Sequence, residues 1–330
     1  GKTKKASTTN KPVIIEDFFS TVLEMAQINN YKAVQNIDGI SFTSLLKGEI
    51  EIPNDRSFFW HYPNNWGGNG PGIAAGSVIR KGDWKLIFAP SSGGWSYPRP
   101  IDIERENLNL PTMQLYNLKN DISETKNLID IYPEKVNELK LELKGFISAS
   151  GIGYYGAITS KTIFKETDKS GSDFLAEVCQ KWEAAAHKFS KINIPITILR
   201  TGIVLAAKGG ALEKMKTPVI SPLGSGKQYI PWIHIDDLCQ MYIQSIEANL
   251  IGIYNAVAPE HQTSITFSKT LAKSIKRPYL GIGVPAFMLK ILFGELAVIF
   301  LEGSRISTKK IEKNGYSFRF KTLKKALNNL

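Results

Sequence analysis

The chain has 330 residues, of which only two are cysteines, Cys179 and Cys239. Two widely separated cysteines exclude a disulfide framework and a thiolate metal cluster, and their scarcity is typical of a reducing compartment. Histidine is also scarce, and its four occurrences show neither i,i+4 pairing nor nearby ligand clusters: His61, His187, His234 and His261. The sequence therefore predicts no metal site.

Long hydrophobic runs are absent as well. The longest, residues 284–301, contains Lys290 and Glu295 and is interrupted by Gly294, which favours paired buried helices over a membrane span. The first residues, GKTKK, lack an initiator Met and are followed by no apolar signal core. We expect a soluble, cytoplasmic protein that does not bind membranes, and an upstream region that is missing from the chain.

Charge divides the chain into two parts. Residues 1–144 contain 17 Lys and Arg against 17 Asp and Glu, whereas residues 145–330 contain 24 against 13, so the whole net charge of +11 lies in the second part. A basic segment can indicate nucleic-acid binding. Because no aromatic stacking platform or RNA motif accompanies these charges, we favour a solvated basic helix face and expect no nucleic-acid partner.

The first part reads as helices followed by an antiparallel sheet. Helical spacing over 14–28 and 43–46 precedes extended segments at 56–62, 76–79, 84–88 and 113–118, with Lys81-Gly82-Asp83 as a hairpin turn. Leucine spacing over 133–143 then predicts a closing amphipathic helix.

Five ordered motifs in this part resemble the carboxyl-terminal region of bacterial arylsulfatases over residues 12–143. They are EDFFSTVLEMA at 16–26, DGIS at 38–41, FWHYP at 59–63, RKGDWKL at 80–86 and LYNLKND at 115–121. The resemblance implies a small antiparallel sheet from an alkaline-phosphatase-like enzyme without its catalytic half, so the nucleophile and the divalent metal site are missing. His61 could face the sulfate-ester pocket of an intact member; its alternative role is a packed sheet histidine.

The second part alternates strands with helices, which predicts parallel βαβ units. The predicted strands cover 146–150, 194–205 and 252–257, and the predicted helices cover 171–189 and 235–247. Gly151-Ile152-Gly153-Tyr154-Tyr155-Gly156 has the glycine spacing of a dinucleotide fingerprint. Residues 157–172 are polar and unperiodic, however, so a loop and not a helix should follow Gly156, and we reject the run as a pyrophosphate-binding loop.

Together with its neighbours, this run resembles the carboxyl-terminal half of atypical short-chain dehydrogenase/reductases of the NAD-dependent, sugar-nucleotide epimerase-like kind. The motifs are ISASGIGYYG at 147–156, DFLAEVC at 173–179 with Trp182-Glu183, LRTGIVL at 199–205, GGAL at 209–212, GSGKQY at 224–229, WIHIDD at 232–237 and YNAVAP at 254–259. The resemblance covers 146–330. The two resemblances together imply α/β plus α+β architecture: a sulfatase-type sheet with helices in 1–144, half of a Rossmann-like NAD(P)-binding domain in 145–283, and a small basic helical domain in 284–330.

The same resemblance implies site residues at the carboxyl end of the sheet, where open α/β sheets bind ligands. Ser150 and Tyr155 are the best catalytic candidates, and Tyr154 is a further one. Candidate cofactor or substrate contacts are Ser148, Arg200, Gly224, Gly226, Lys227 and His234. Arg200 could instead neutralise a buried carboxylate, the glycines could only permit a turn, and His234 could pack ahead of a helix capped by Asp236 or Asp237.

Two departures bear on function. The helix before Trp182-Glu183 offers Leu175 and Cys179 where ordinary members use Tyr-x-x-x-Lys for proton transfer. Residues 1–144 contain no counterpart of the first βαβ unit, so the principal NAD(P)-binding loop is missing. We expect two joined remnants, from a deletion or an assembly error, with an incomplete site for a small-molecule substrate. Alternatives are a sulfatase or a non-catalytic interaction fragment, and the exposed sheet edge should favour self-association.

Overall fold

The computed structural model describes residues 3–5, 8–32, 37–49, 56–62, 76–88, 113–187, 189–190 and 193–330. It divides into two compact units, Gly1–Glu142 and Leu143–Leu330, so the division lies two residues before the predicted 144/145 boundary. Within the described residues, no helix is both long enough and apolar enough to cross a membrane.

The first unit contains a four-stranded antiparallel sheet in the order β1-β2-β3-β4. The strands are β1 (Ser57–Tyr62), β2 (Gly76–Lys81), β3 (Trp84–Phe88) and β4 (Met113–Asn117), and the helices are α1 (Ile15–Met25), α2 (Thr43–Lys47) and α3 (Pro133–Leu141). Lys81 pairs with Trp84, so Gly82 and Asp83 form the predicted hairpin turn. Ile79, Leu86 and Leu115 are cross-strand neighbours on β2, β3 and β4, and all three are fully buried.

A buried ion pair holds α1 in place. Asp17 is fully buried and accepts hydrogen bonds from the backbone N–H groups of Ile14 and Ile40 and from Arg56 Nη1 at 2.8 Å. Desolvation opposes the ionised carboxylate, but these donors outweigh it and lower the pKa of Asp17. His61 lies in β1, opposite Ser77, and its side chain is outside the described part of the structure.

The second unit is built on a parallel sheet in the order β10-β7-β5. Its strands are β5 (Phe146–Gly151), β6 (Ile163–Phe164), β7 (Ile196–Thr201), β8 (Ile203–Leu205), β9 (Trp232–His234), β10 (Gly252–Ala256) and β11 (Arg305–Ile306). Its helices are α4 (Phe174–His187), α5 (Gly210–Met215), α6 (Ile235–Glu247), α7 (Ser264–Ser274), α8 (Ala286–Phe293), α9 (Val298–Leu301), α10 (Lys309–Lys313) and α11 (Leu323–Asn329). Short pairs β6–β11 and β8–β9 complete it. Parallel pairing of the predicted strands is confirmed.

One predicted strand is wrong in its extent. Residues 194–205 form two strands because the chain changes partners at Gly202. The Gly202 N–H donates to Ala256 O, and the next N–H, from Ile203, donates to Pro231 O. A Cβ at Gly202 would lie 2.7 Å from Pro231 O, so this close backbone approach requires glycine.

The carboxyl-terminal segment 284–330 packs into the core of the second unit. Leu323 and Leu327 of α11 join Trp232, Phe267 and Leu271 in one buried cluster, and Ile311 and Phe318 join Leu199 and Met241 in another. Asp237 strengthens this attachment, because its buried carboxylate accepts from the backbone N–H groups of Arg319 and Phe320. The segment therefore shares its core with the Rossmann-like layer.

Candidate functional site

A buried polar network lies at the carboxyl ends of β5, β7 and β10. Ser150, Arg200 and Asn255 each lie one residue before the end of β5, β7 and β10, respectively. Parallel register sets Ser150 on one side of Arg200 and Asn255 on the other. Helix α4 contributes Glu183, which falls on its buried face with Ala176, Cys179 and Ala186 at helical spacing. The 3₁₀ turn Ile152–Tyr155 contributes Tyr155.

Arg200 is paired within the protein. It is 1% exposed and makes a bidentate pair with Glu183, with Nε to Oε1 and Nη2 to Oε2 both at 2.8 Å. Its guanidinium carbon lies 3.4 Å from the centre of the Tyr154 ring, a cation–π contact. Burial disfavours the charge, but Glu183 and Tyr155 outweigh it and raise the pKa of Arg200 above its ordinary value. The structure thus realises the alternative in which Arg200 neutralises a buried carboxylate.

Tyr155 is held on the other side of the guanidinium. Its hydroxyl accepts from Arg200 Nη1 at 3.0 Å and donates to Asn255 Oδ1 at 2.7 Å, and Asn255 Nδ2 donates to Ser307 O. Burial raises the pKa of Tyr155 to about 12, although Arg200 and Asn255 act in the opposite direction. At neutral pH this hydroxyl is therefore protonated and already satisfied.

The other candidate hydroxyls near β5 differ in their surroundings. Ser150 is buried and donates to Glu183 Oε1 at 2.8 Å, so it belongs to the same network. Ser148 is half-buried and its hydroxyl donates to the adjacent Ala149 O. Tyr154 packs edge-to-face on Tyr155 and covers Arg200. The structure brings Ser150, Tyr154, Tyr155 and Arg200 together, and leaves Ser148 outside this group.

The glycine run 151–156 packs tightly against α4 and the residues before it. A Cβ at Gly153 would lie 3.4 Å from Leu175 Cβ, and one at Gly156 would lie 2.8 Å from Asp173 Oδ2. Asp173 Oδ2 accepts from Ala157 N–H, while its Oδ1 accepts from the N–H groups of Leu175 and Ala176 at the start of α4. Asp173 thus satisfies the amides of Ala157, Leu175 and Ala176, and no helix starts at Gly156 to present free amides to a phosphate. These residues do not fit a pyrophosphate.

The loop with Gly224, Gly226 and Lys227 forms a turn that is held by hydrogen bonds from a buried side chain. Both glycines have positive φ, 55° and 72°, and the buried Gln228 donates from Nε2 to Leu223 O and Phe300 O. Lys227 is exposed at the tip. The glycines are thus required by the turn, and an anion contact by Lys227 remains a prediction.

His234 packs directly ahead of α6, as one of the two roles predicted for it requires. It is itself the N-cap of α6, since its Nδ1 accepts from Asp236 N–H at 3.0 Å. The ring is buried and stacks on Phe320 at 3.8 Å between centroids. Burial lowers the pKa of His234, partly offset by Asp236. The capping role predicted for Asp236 or Asp237 is wrong, because both lie in the first turn of α6.

Beside the network lies a cavity of about 300 Å³. Its floor is the glycine run and residues 201–203, one wall is α4 with Leu175, Val178 and Trp182, and its cover is the segment 298–306. Tyr155 reaches it from the network. In the described part of the chain, no group of three or more His, Cys, Asp or Glu residues could hold a metal ion.

Three residues of the buried polar network were not identified as site residues from the sequence. Glu183 carries the only charge on the buried stripe of α4, and that mismatch is a readable signal of a buried partner. Asn255 could be recognised only as a polar residue in an apolar strand. Glu166, whose Oε1 accepts from Asn255 N–H and whose carbonyl accepts from Arg200 Nη1, lies in a loop and gives no sequence signal.

Comparison with known proteins identifies the family of this chain. An epimerase family protein of Staphylococcus epidermidis is 32% identical over 216 residues, which cover 63% of this chain and 70% of that relative. The chain belongs to the epimerase family. Residues 284–330 match a domain of unknown function, DUF1731. The chloroplastic SDR39U1 homolog of Arabidopsis thaliana is 38% identical over 188 residues, or 55% of this chain and 53% of the relative.

A solved structure shows the same Rossmann-like fold. Human epimerase family protein SDR39U1, crystallised with NADPH, has a TM-score of 0.52 and 29% identity over 62% of this chain and 73% of that one. This epimerase family member spans about half the length of the plant relative and 65% of mouse SDR39U1. The chain thus covers less than the full length of these relatives.

Proposed function

We propose that the second unit is an epimerase-family ligand-binding module that keeps the substrate side of the site but binds NAD(P) weakly and lacks complete catalytic activity. The observation that carries this proposal is the closure of the glycine run by Asp173, which takes the amides at Ala157, Leu175 and Ala176. A pyrophosphate has no free helix N-terminus there. The family resemblance supports an NAD(P)-type ancestry, since human SDR39U1 was crystallised with NADPH.

The geometry also supports a structural role for the candidate catalytic groups. Ser150 and Tyr155 each donate their single hydroxyl proton to a buried acceptor, Glu183 and Asn255 respectively. With a pKa of about 12, Tyr155 is a poor general base at neutral pH. In this proposal both residues, with Arg200, hold the strand ends and the cavity floor in place, and neither transfers a proton.

Thermal melting with NADP⁺ and NADPH tests the proposal. A ligand at one hundred times its Kd stabilises a protein by about 2.7 kcal/mol, a shift of several degrees for a unit of this size. We expect no resolvable shift with 1 mM of either dinucleotide, which is roughly one hundred times a Kd of 10 μM. Human SDR39U1 serves as the positive control. A shift of several degrees in this chain would show that the dinucleotide site is intact.

For the first unit, the proposal is a structural remnant related to the carboxyl-terminal region of arylsulfatases. The ordered motifs in residues 12–143 support it, together with the four-stranded antiparallel sheet and α3. We expect no hydrolysis of an aryl sulfate ester, because the sequence has no C/S-x-P-x-R nucleophile motif and no described metal cluster. Release of sulfate from p-nitrocatechol sulfate by the purified chain would refute this assignment.

A further inference from the structure

The cavity beside the buried network has an apolar wall on each side. Leu175, Val178 and Trp182 project from α4, and Ile203 and Met215 face it from the other side. Trp182 is 52% exposed although it is a large aromatic side chain. A cavity of this size and lining is typical of a small-molecule site, in which apolar walls supply most of the binding free energy.

The charges around this cavity are unusual for a nucleotide site. Among the described residues that line it, none is Lys or Arg, and the one charged side chain is the carboxylate of Glu302. Glu302 is held in place, since its Oε2 accepts from the Thr159 hydroxyl. Arg200, next to the lining residue Thr201, is paired with Glu183 beneath Tyr154 and is not a lining residue. Arg305, next to the lining residue Ser304, packs on the Tyr229 ring and donates to Lys161 O, and it does not line the cavity either.

A phosphate entering this cavity would lose water without gaining a cationic partner. The cost of burying an unpaired anion is large, and Glu302 adds repulsion. An uncharged apolar molecule meets no such cost, and its hydrogen-bond donors, where it has any, can reach Glu302. The chemistry of the lining therefore discriminates between the two ligand classes.

We propose that this cavity binds an uncharged, largely apolar small molecule rather than a sugar nucleotide or another phosphate-bearing ligand. The inference rests on the proposed ligand-binding role of the second unit and adds the class of ligand. Tyr229, a half-buried polar residue of the lining, then orients the ligand, while α4 and the segment 298–300 line its sides.

Two dyes with the same ring system test the charge preference. N-phenyl-1-naphthylamine is neutral, whereas 8-anilinonaphthalene-1-sulfonate adds a sulfonate. Binding of each dye is followed by its fluorescence emission. We expect the neutral dye to bind the full chain more tightly by about tenfold or more. Glu302→Gln should reduce the ratio of the affinity for the neutral dye to the affinity for the sulfonate dye. UDP-glucose should neither bind detectably nor displace the neutral dye.

Cavity-filling variants show whether the dye occupies this site. Val178→Trp and Met215→Trp fill the cavity from opposite walls, and each should weaken binding of the neutral dye by about tenfold. Val219→Trp is the matched control, because Val219 is exposed and does not line the cavity; its affinity should stay within about twofold. Melting curves identify any variant that is misfolded. If one cavity-filling variant is misfolded, dye binding by the other one tests the proposal.

The possible failures are distinguishable. Neutral-dye affinity that is unchanged in both filling variants would overturn the inference. Binding of UDP-glucose or the sulfonate that is as tight as that of the neutral dye, and is lost in Val178→Trp, would overturn the ligand class but keep the cavity as a ligand site. A melting shift with NADP⁺ would instead refute the proposed loss of the dinucleotide site.

Discussion

The pairing of Glu183 with Arg200 makes a quantitative prediction. Glu183 accepts three hydrogen bonds, two from Arg200 and one from Ser150, each at 2.8 Å. Glu183→Gln removes the negative charge and turns one acceptor oxygen into an NH₂ group, which faces a donor of Arg200 or Ser150. The buried guanidinium would then have lost its charge partner.

The expected cost follows from the burial of both partners. The side chains of Arg200 and Glu183 are 1% and 6% exposed, so water cannot replace the missing interaction. Breaking such a buried pair by changing one partner costs about 3–5 kcal/mol. For a unit of this size, that corresponds to a fall in the melting temperature of roughly 6 to 20 °C.

The assay is urea unfolding followed by tryptophan fluorescence, in which the fully buried Trp232 reports on the second unit. Glu177→Gln is the matched control on the same helix, since Glu177 pairs with Lys181 on the exposed face of α4; it should not change the midpoint measurably. A double variant, Glu183→Met with Arg200→Met, should recover much of the stability, because both charges are removed together. The reasoning is refuted if Glu183→Gln resembles Glu177→Gln, or if the double variant is less stable than Glu183→Gln.

Three further predictions concern pH and association. The pKa of His234 is lowered in the folded protein. The stability of the second unit should therefore fall as the pH drops below the pKa of about 6.5 that histidine has in the unfolded chain. His234→Asn preserves an N-cap acceptor and should remove this pH dependence from urea unfolding midpoints measured between pH 5 and 8. The pKa of Asp17 is also lowered, so the first unit should lose stability as the pH falls below about 3.9. Circular dichroism followed during an acid titration of the wild type and of Asp17→Asn tests this prediction. Parallel curves for the two proteins would contradict it. β5 is an edge strand of its described sheet, and Ala149 in this strand is exposed. Ala149→Lys should therefore reduce self-association of the chain, measured by analytical ultracentrifugation. A wild-type chain that sediments as a monomer would contradict this prediction.

Local patterns predicted the elements whose partners are close in the chain. Helix α6 was predicted at its observed bounds because its apolar face and two early aspartates are contiguous. The β2–β3 hairpin was predicted because Gly82 and Asp83 identify the turn directly. The partner change at Gly202 was missed, since it depends on contacts with Pro231 and Ala256. These contacts are long-range and leave no periodic signal in the apolar run.

In the candidate site, too, features set by local sequence were predictable, and features set by long-range packing were not. The position of Ser150, Tyr155 and Arg200 at one end of the sheet follows from strand order and was predictable. The choice between a free Arg200 and a paired one was not, because it depends on which face of α4 is buried and hence on the packing of Ala176 and Cys179. The cavity was harder still, as its cover comes from residues 298–306, far along the chain from the glycine run.

Helix α4 links stability to ligand class. Its buried stripe presents Glu183 to Arg200, while the adjoining Leu175, Val178 and Trp182 form the cavity wall. Because Glu183 neutralises the guanidinium that lies behind Tyr154, the strand end offers no net positive charge to an entering anion. An arginine in the same strand position without this carboxylate would attract phosphate groups. The exclusion of charged ligands is therefore a consequence of the ion pair that stabilises the sheet, and Glu183→Gln should weaken both properties together.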